Sequence, residues 1–105
     1  MELTNNVYML TKKLPSSETF ALSDQMRRAA VSVPSNIAEW HGRQYDKEFK
    51  KFLSIARGSC YEIETQLLIC KQQGFFTDKD IAPTLDMLEE IGKMLTAFIL
   101  HLSKN

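Results

Sequence analysis

A chain of 105 residues has room for one domain and one core. Its composition, 44% apolar and 25% charged, excludes a disordered or fibrous chain. Thirteen basic residues balance thirteen acidic ones, which excludes an overall field strong enough to draw nucleic acid to the whole surface.

The clear periodicity is helical, and no segment alternates as a strand does. The first helix is predicted from about Glu2 to Lys13, with Leu3, Val7, Leu10 and Leu14 on one face and Pro15 closing it. A second is predicted from about Leu22 to His41, with Leu22, Met26, Ala29 or Ala30, Val33 and Ile37 inward. Pro34 falls inside it and lacks the amide that would bond back to Ala30, so a kink is expected. Gly42 is the natural stop. Asp46 is expected to cap a long third helix that runs to about Gln73 and ends at Gly74. Its core stripe is Phe49, Phe52 or Leu53, Ala56, Ser59 or Cys60, Ile63, Leu67 and Cys70.

Thr77 or Asp80 can cap a fourth helix to about Ser103. Asp80 is the better choice, because it puts Pro83 in the first turn, where a missing amide costs little. One face of this helix reads Ile81, Leu85, Leu88, Gly92, Leu95, Ile99 and Leu102, and a second seam runs through Met87, Ile91, Met94 and Phe98. Two seams suit the core of a four-helix bundle, with any excess suited to a subunit interface. The third helix spans about 42 Å and the first about 18 Å. That mismatch leaves apolar surface for neighbouring subunits to cover, unless the chain starts later than its relatives do. The expected fold is all-α: an antiparallel up-down four-helix bundle over residues 1–105, with a short first helix and a kinked second.

No apolar run approaches the roughly 20 residues of a membrane span. The N-terminus lacks the basic and then apolar pattern of a secretory signal. Cys60 and Cys70 lie about 15 Å apart along one helix, beyond disulfide reach. Two buried free thiols in a reducing cytoplasm are therefore expected.

On a helix, Arg28, Ser32, Asn36 and Glu39 share one side, and Arg43 extends the stripe. Arg28, Asn36, Glu39, Arg57 and Glu62 are candidates for an internal polar network or for reading a partner. The network is preferred, because buried charges are normally paired and because Ala29, Ala30, Ala56 and Gly58 would let helices approach closely.

Between His41 and Arg57 there is a local excess of three positive charges, and from Phe75 onward an excess of two negative ones. Arg27, Arg43, Lys47, Lys50, Lys51 and Lys71 are either phosphate contacts or a solvated face. Copies of the basic stretch around a ring would concentrate their charge on one rim. Trp40 and His41 either stack on a base or anchor a partner, or Trp40 fills the bundle end. Tyr8, Tyr45 and Tyr61 form no aromatic platform of recognisable spacing, and Phe75-Phe76 reads as a plug between the last two helices.

Nothing supports catalysis. The only two histidines, His41 and His101, are far apart, and there is no Glu-x-x-His pair for a bundle metal site. Cys60 has no nearby histidine in sequence, and no glycine-rich phosphate loop exists. Neither metal nor cofactor is expected.

Leu14-Pro15 with Glu18, Gln25 to Ser32, Asn36 to Glu39, Arg43, Glu48-Phe49, Phe52 to Ser59 and Glu62 to Leu68 carry a resemblance over nearly the whole chain. Together they resemble the four-helix-bundle proteins encoded in intervening sequences of bacterial 23S ribosomal RNA genes. They are similar, more distantly, to the accessory variability protein of diversity-generating retroelements. Relatives usually carry a glycine where this chain has Trp40. The resemblance implies an up-down bundle assembled as a ring-shaped homopentamer. Its retroelement branch, held to bind nucleic acid and a reverse transcriptase through a basic surface, implies by analogy a role in nucleic-acid binding or scaffolding. The expected function is thus a non-catalytic oligomer that binds RNA or DNA through Arg27, Arg43, Lys47, Lys50, Lys51 and Trp40. The alternative is a protein-binding scaffold or structural oligomer with no nucleic-acid contact.

Overall fold

The computed structural model describes residues 1–15 and 19–104. Glu18, one of the residues carrying the resemblance, lies outside them. Four α-helices make up most of the described chain: α1 (Glu2–Thr11), α2 (Asp24–Gly42), α3 (Lys51–Gln72) and α4 (Asp78–Ser103). A π-helical turn, Thr19–Ser23, leads into α2, and a 3-10 turn, Lys47–Phe49, precedes α3. No strand occurs among the described residues.

Helix α1 buries Leu3, Val7 and Leu10, as their spacing predicts. It stops at Thr11 rather than Lys13. Lys13 N–H bonds to Leu10 O at 3.0 Å and Leu14 N–H to Thr11 O at 3.2 Å, so the last turn tightens ahead of Pro15, which disfavours helical backbone at the residue before it.

Helix α2 buries Met26, Ala29, Ala30, Val33 and Trp40 and runs through Pro34 without interruption. Pro34 cannot donate to the carbonyl of Ala30, four residues earlier. The hydroxyl of Thr4, on α1, donates to that carbonyl instead at 3.1 Å. A buried carbonyl left unpaired costs about 1–3 kcal/mol, so the bond removes part of the penalty of an internal proline. It also sets the register of α1 on α2. A second tie reinforces that register: Arg27 Nε donates to Thr11 Oγ1 at 2.9 Å while its guanidinium lies over the Tyr8 ring, 5.1 Å from the centroid.

A contact of small side chains joins α2 and α3. Ala29, Ala30 and Ala56 are buried, and Ser59 Oγ donates to Ser32 Oγ at 2.8 Å. Asn36 Nδ2 reaches the same hydroxyl at 3.0 Å and the Ser32 carbonyl at 2.8 Å. Gly58 does not belong to this contact. It is exposed, and an added Cβ there would meet nothing within 4 Å.

Asp46 caps the 3-10 turn, accepting from Glu48 N–H at 2.8 Å, and α3 proper starts only at Lys51. The long third helix is thereby shorter than its sequence pattern suggested. Its C-terminus is as expected. Gly74 has φ +83, its N–H bonds to Lys71 O, and Phe75 N–H bonds to Cys70 O at 2.9 Å. This is the paired closure that glycine permits past a helix end. Phe76 is buried beyond it and Phe75 half-buried.

Thr77, not Asp80, caps α4. Asp80 N–H bonds to Thr77 Oγ1 at 3.1 Å and Thr77 N–H to Asp80 Oδ2 at 2.8 Å. The reciprocal pair satisfies two amides where a lone Asp80 cap would satisfy one. The Thr77 N–H bond first, and the Thr77 hydroxyl beside it, hold the Asp80 carboxyl below its usual pKa. Pro83 accordingly lies beyond the first turn. Ile81, Thr84, Leu88 and Leu95 of α4 are buried.

The second seam of α4 divides in two. Met87 and Ile91 pack on the core, and Asn6 of α1 touches Met87 Sδ at 3.5 Å. Met94 and Phe98 remain 48% and 41% exposed. Ten-residue α1 is too short to cover a 26-residue neighbour.

Replacing Thr4 by valine should lower stability by about 1–2 kcal/mol in a denaturant melt. In a Pro34→Ala background the backbone amide regained at position 34 supplies the missing donor, and the same valine should cost well under half as much. Equal costs in both backgrounds would show that Thr4 does not serve the Ala30 carbonyl.

Candidate nucleic-acid interface

The basic stretch occupies the turn between α2 and α3. Helix α2 ends at Gly42, but the glycine is not the residue that reverses the chain. Gln44 and Tyr45 have φ of 58° and 61°, two consecutive left-handed residues with side chains, a conformation that costs roughly 1–2 kcal/mol each. Gln44 N–H bonds to His41 O at 2.9 Å and Tyr45 N–H to Trp40 O at 3.4 Å. The turn therefore satisfies the last carbonyls of α2 as a glycine closure would.

Four cations follow within a short span of chain. Arg43 pairs with Glu39 at 3.2 Å and lies over the Phe49 ring, 4.8 Å from its centroid. Lys50 Nζ donates to Ser103 Oγ at 2.9 Å, which brings the end of α4 to this turn. Lys51 Nζ sits 5.5 Å over the Phe52 ring. Lys47 is exposed in the 3-10 turn. Most of these pairs are partly solvated, and such pairs contribute little to stability, so Arg43, Lys50 and Lys51 can exchange them for an outside anion.

The aromatic side chains are arranged differently from the sequence expectation. Trp40 is only 5% exposed and packs against Phe98 of α4, 5.4 Å between centroids. It fills the bundle end and offers no open ring face to a base. Tyr45 is the exposed ring, at 53%. It meets Trp40 edge to face at 4.8 Å and His41 at 4.8 Å. Spacing alone assigns Tyr45 to no platform, because the left-handed turn that places it beside Trp40 leaves no glycine or asparagine signal.

Arg27 does not join this cluster. It is engaged between α1 and α2, about 24 Å along α2 from Arg43. Lys71 likewise lies elsewhere, paired with Asp78.

The five residues considered for a polar network are not linked into one among the described residues. Arg28 pairs with Asp24 at 3.0 Å and is 80% exposed, and Glu39 pairs with Arg43. Arg57 reaches Thr96 of α4 at 3.4 Å, Glu62 accepts from Gln66 at 3.4 Å, and Asn36 bonds to Ser32. Residues four apart on one helix satisfy each other locally, so the regular stripe resolves into separate pairs. The polar link between α2 and α3 is made by the smaller Ser32 and Ser59.

A model of the family described as 23S rRNA-intervening sequence protein matches residues 1–97. The chain belongs to that family. No curated protein is significantly similar to it. In this 23S rRNA-intervening sequence protein the matched span takes in the whole of α1, α2 and α3, the basic turn, and most of α4.

Two further features of this family member bear on chemistry. A cleft of about 710 Å³ lies between α3 and α4, lined by Tyr61, Leu68, Leu85, Gly92 and Leu100 together with Glu64 and Glu89. Cys60 borders it, and burial pushes its thiol up from 9.0 to about 11. Burial also raises the Cys70 thiol. No group of three potential metal ligands is assembled among the described residues.

Thiols held protonated are poor nucleophiles. At pH 8 the thiolate fraction of Cys60 should be about 100-fold lower in the folded protein than in the unfolded chain. Iodoacetamide labelling should show that ratio or a larger one. Equal labelling rates before and after denaturation would contradict the burial. Because the folded pKa is raised, this group's contribution to stability is full below about 9 and is lost as pH rises toward about 11.

Proposed function

We propose that this 23S rRNA-intervening sequence protein is a non-catalytic, cytoplasmic nucleic-acid-binding protein. Its unit is an antiparallel up-down four-helix bundle, kinked at Pro34, and it assembles as a homopentamer. The observation that carries the reading is that Arg43, Lys47, Lys50 and Lys51 share one turn with the exposed Tyr45 ring at one end of the molecule. Lys and Arg supply the sequence-independent attraction to phosphates, and aromatic faces supply contact with bases. Exposed Met94 and Phe98 on α4, with the apolar cleft beside α3, support assembly. A ring would repeat the basic turn and raise the local field. Catalysis has no support, since both cysteines are buried thiols held protonated.

The test is binding of a short structured RNA, followed by fluorescence anisotropy over a range of salt. Affinity should fall steeply as salt rises, with a log–log slope of roughly −0.7 to −0.9 per phosphate contacted. Lys47→Glu with Lys51→Glu should weaken binding at least about tenfold and flatten the slope by about 2. Binding that ignores salt, or no binding, would overturn the proposal.

The α3–α4 cleft favours a second reading, a protein-binding scaffold. Its signature is a protein partner retained after nuclease digestion.

A further inference from the structure

We propose that the α2–α3 turn is a reader of single-stranded nucleic acid. Tyr45, steadied by His41 and Trp40, stacks on an unpaired base, and Arg43 and Lys47 hold the flanking phosphates. The inference rests on the nucleic-acid reading and narrows its ligand class from any polyanion to one with exposed base faces.

Three observations carry it. Tyr45 is 53% exposed although it touches two other rings, so it is held in place without being covered. A ring already ordered loses little freedom on stacking, which favours its use as a contact. Tyr45 also sits at φ 61°, after Gln44 at φ 58°. That backbone is cheap for glycine or asparagine and costly for a tyrosine, so local stability alone does not explain the residue found there. Finally, the residue is flanked by cations along the chain, with Arg43 two residues before it and Lys47 two after. Aromatic rings interleaved with cations form the platform on which single strands bind. A perfect duplex hides its base faces in the stack and would use only the cations.

Tyr45→Gly separates a reader from a cover over Trp40. Glycine relieves the left-handed backbone, so the helical fold should persist, as judged by circular dichroism and the melting temperature. The ligands are a mixed-sequence RNA of about 12 nucleotides without secondary structure, its blunt duplex, and the corresponding DNAs. Wild type should prefer the single strand by about tenfold at equal salt. Tyr45→Gly should lose that preference and bind single strand and duplex alike, and Tyr45→Phe should keep it. His41→Ala, which leaves the turn backbone untouched, should reduce it in part.

A preference retained in Tyr45→Gly, or wild type binding duplex as tightly as single strand, would overturn the reader and leave nucleic-acid binding standing. Binding to none of the four ligands would overturn both and leave the protein scaffold. A preference shared by RNA and DNA assigns recognition to bases and phosphates, while one confined to RNA adds the 2′-hydroxyl; either supports the reader.

Discussion

Pro34 interrupts the hydrogen-bond ladder of α2 at the Ala30 carbonyl, and Thr4 repairs it from another helix. The repair does more than offset a backbone penalty. It gives the shortest helix one register on its neighbour, and Arg27 bridging Tyr8 and Thr11 holds the same register about one to two turns further along α1. The side of α2 that carries Ser32 is then free to approach α3 through the Ser32–Ser59 bond, with Ala29 and Ala56 buried. A proline that would weaken an isolated helix thus becomes the point at which α1 is attached.

The periodic parts of the fold were legible in the sequence. Leu3, Val7 and Leu10, then Leu53, Ala56, Cys60, Ile63 and Leu67, are buried as their spacing indicates. Gly74 ends α3 because only a left-handed residue closes the turn there without cost. At the start of α4 the position of Pro83 favours an Asp80 cap, which the structure does not use. The Thr77–Asp80 spacing carried the capping signal, and two satisfied amides outweigh one favourable proline position. Gly58, grouped by its neighbours with the close-packed small residues, faces outward. Contacts between distant parts of the chain, such as Thr4 with Ala30 or Lys50 with Ser103, leave no local pattern to read.

The candidate site was half legible for the same reason. Charge excess is a property of sequence, and it marked the stretch after His41. Which ring is exposed depends on packing. Trp40 turns inward because Phe98, from a different helix, meets it, and Tyr45 is left outside by two left-handed residues without a glycine between them. The regular stripe from Arg28 to Arg43 suggested one network. Local ion pairs are a simpler solution when the side chains are exposed, and such pairs are nearly neutral for stability.

The molecule therefore has two surfaces of different character. One end carries cations and an exposed ring, and the flank of α3 and α4 carries an apolar cleft. The first suits a charged, base-bearing strand and the second suits another protein surface. Amide hydrogen exchange of the whole chain, alone and with a single-stranded RNA of about 12 nucleotides, separates them most directly. The account predicts new protection at residues 41–51 and in the last turn of α4, with α1 and the middle of α3 unchanged. Protection along the α3–α4 cleft instead, or none anywhere, would contradict it.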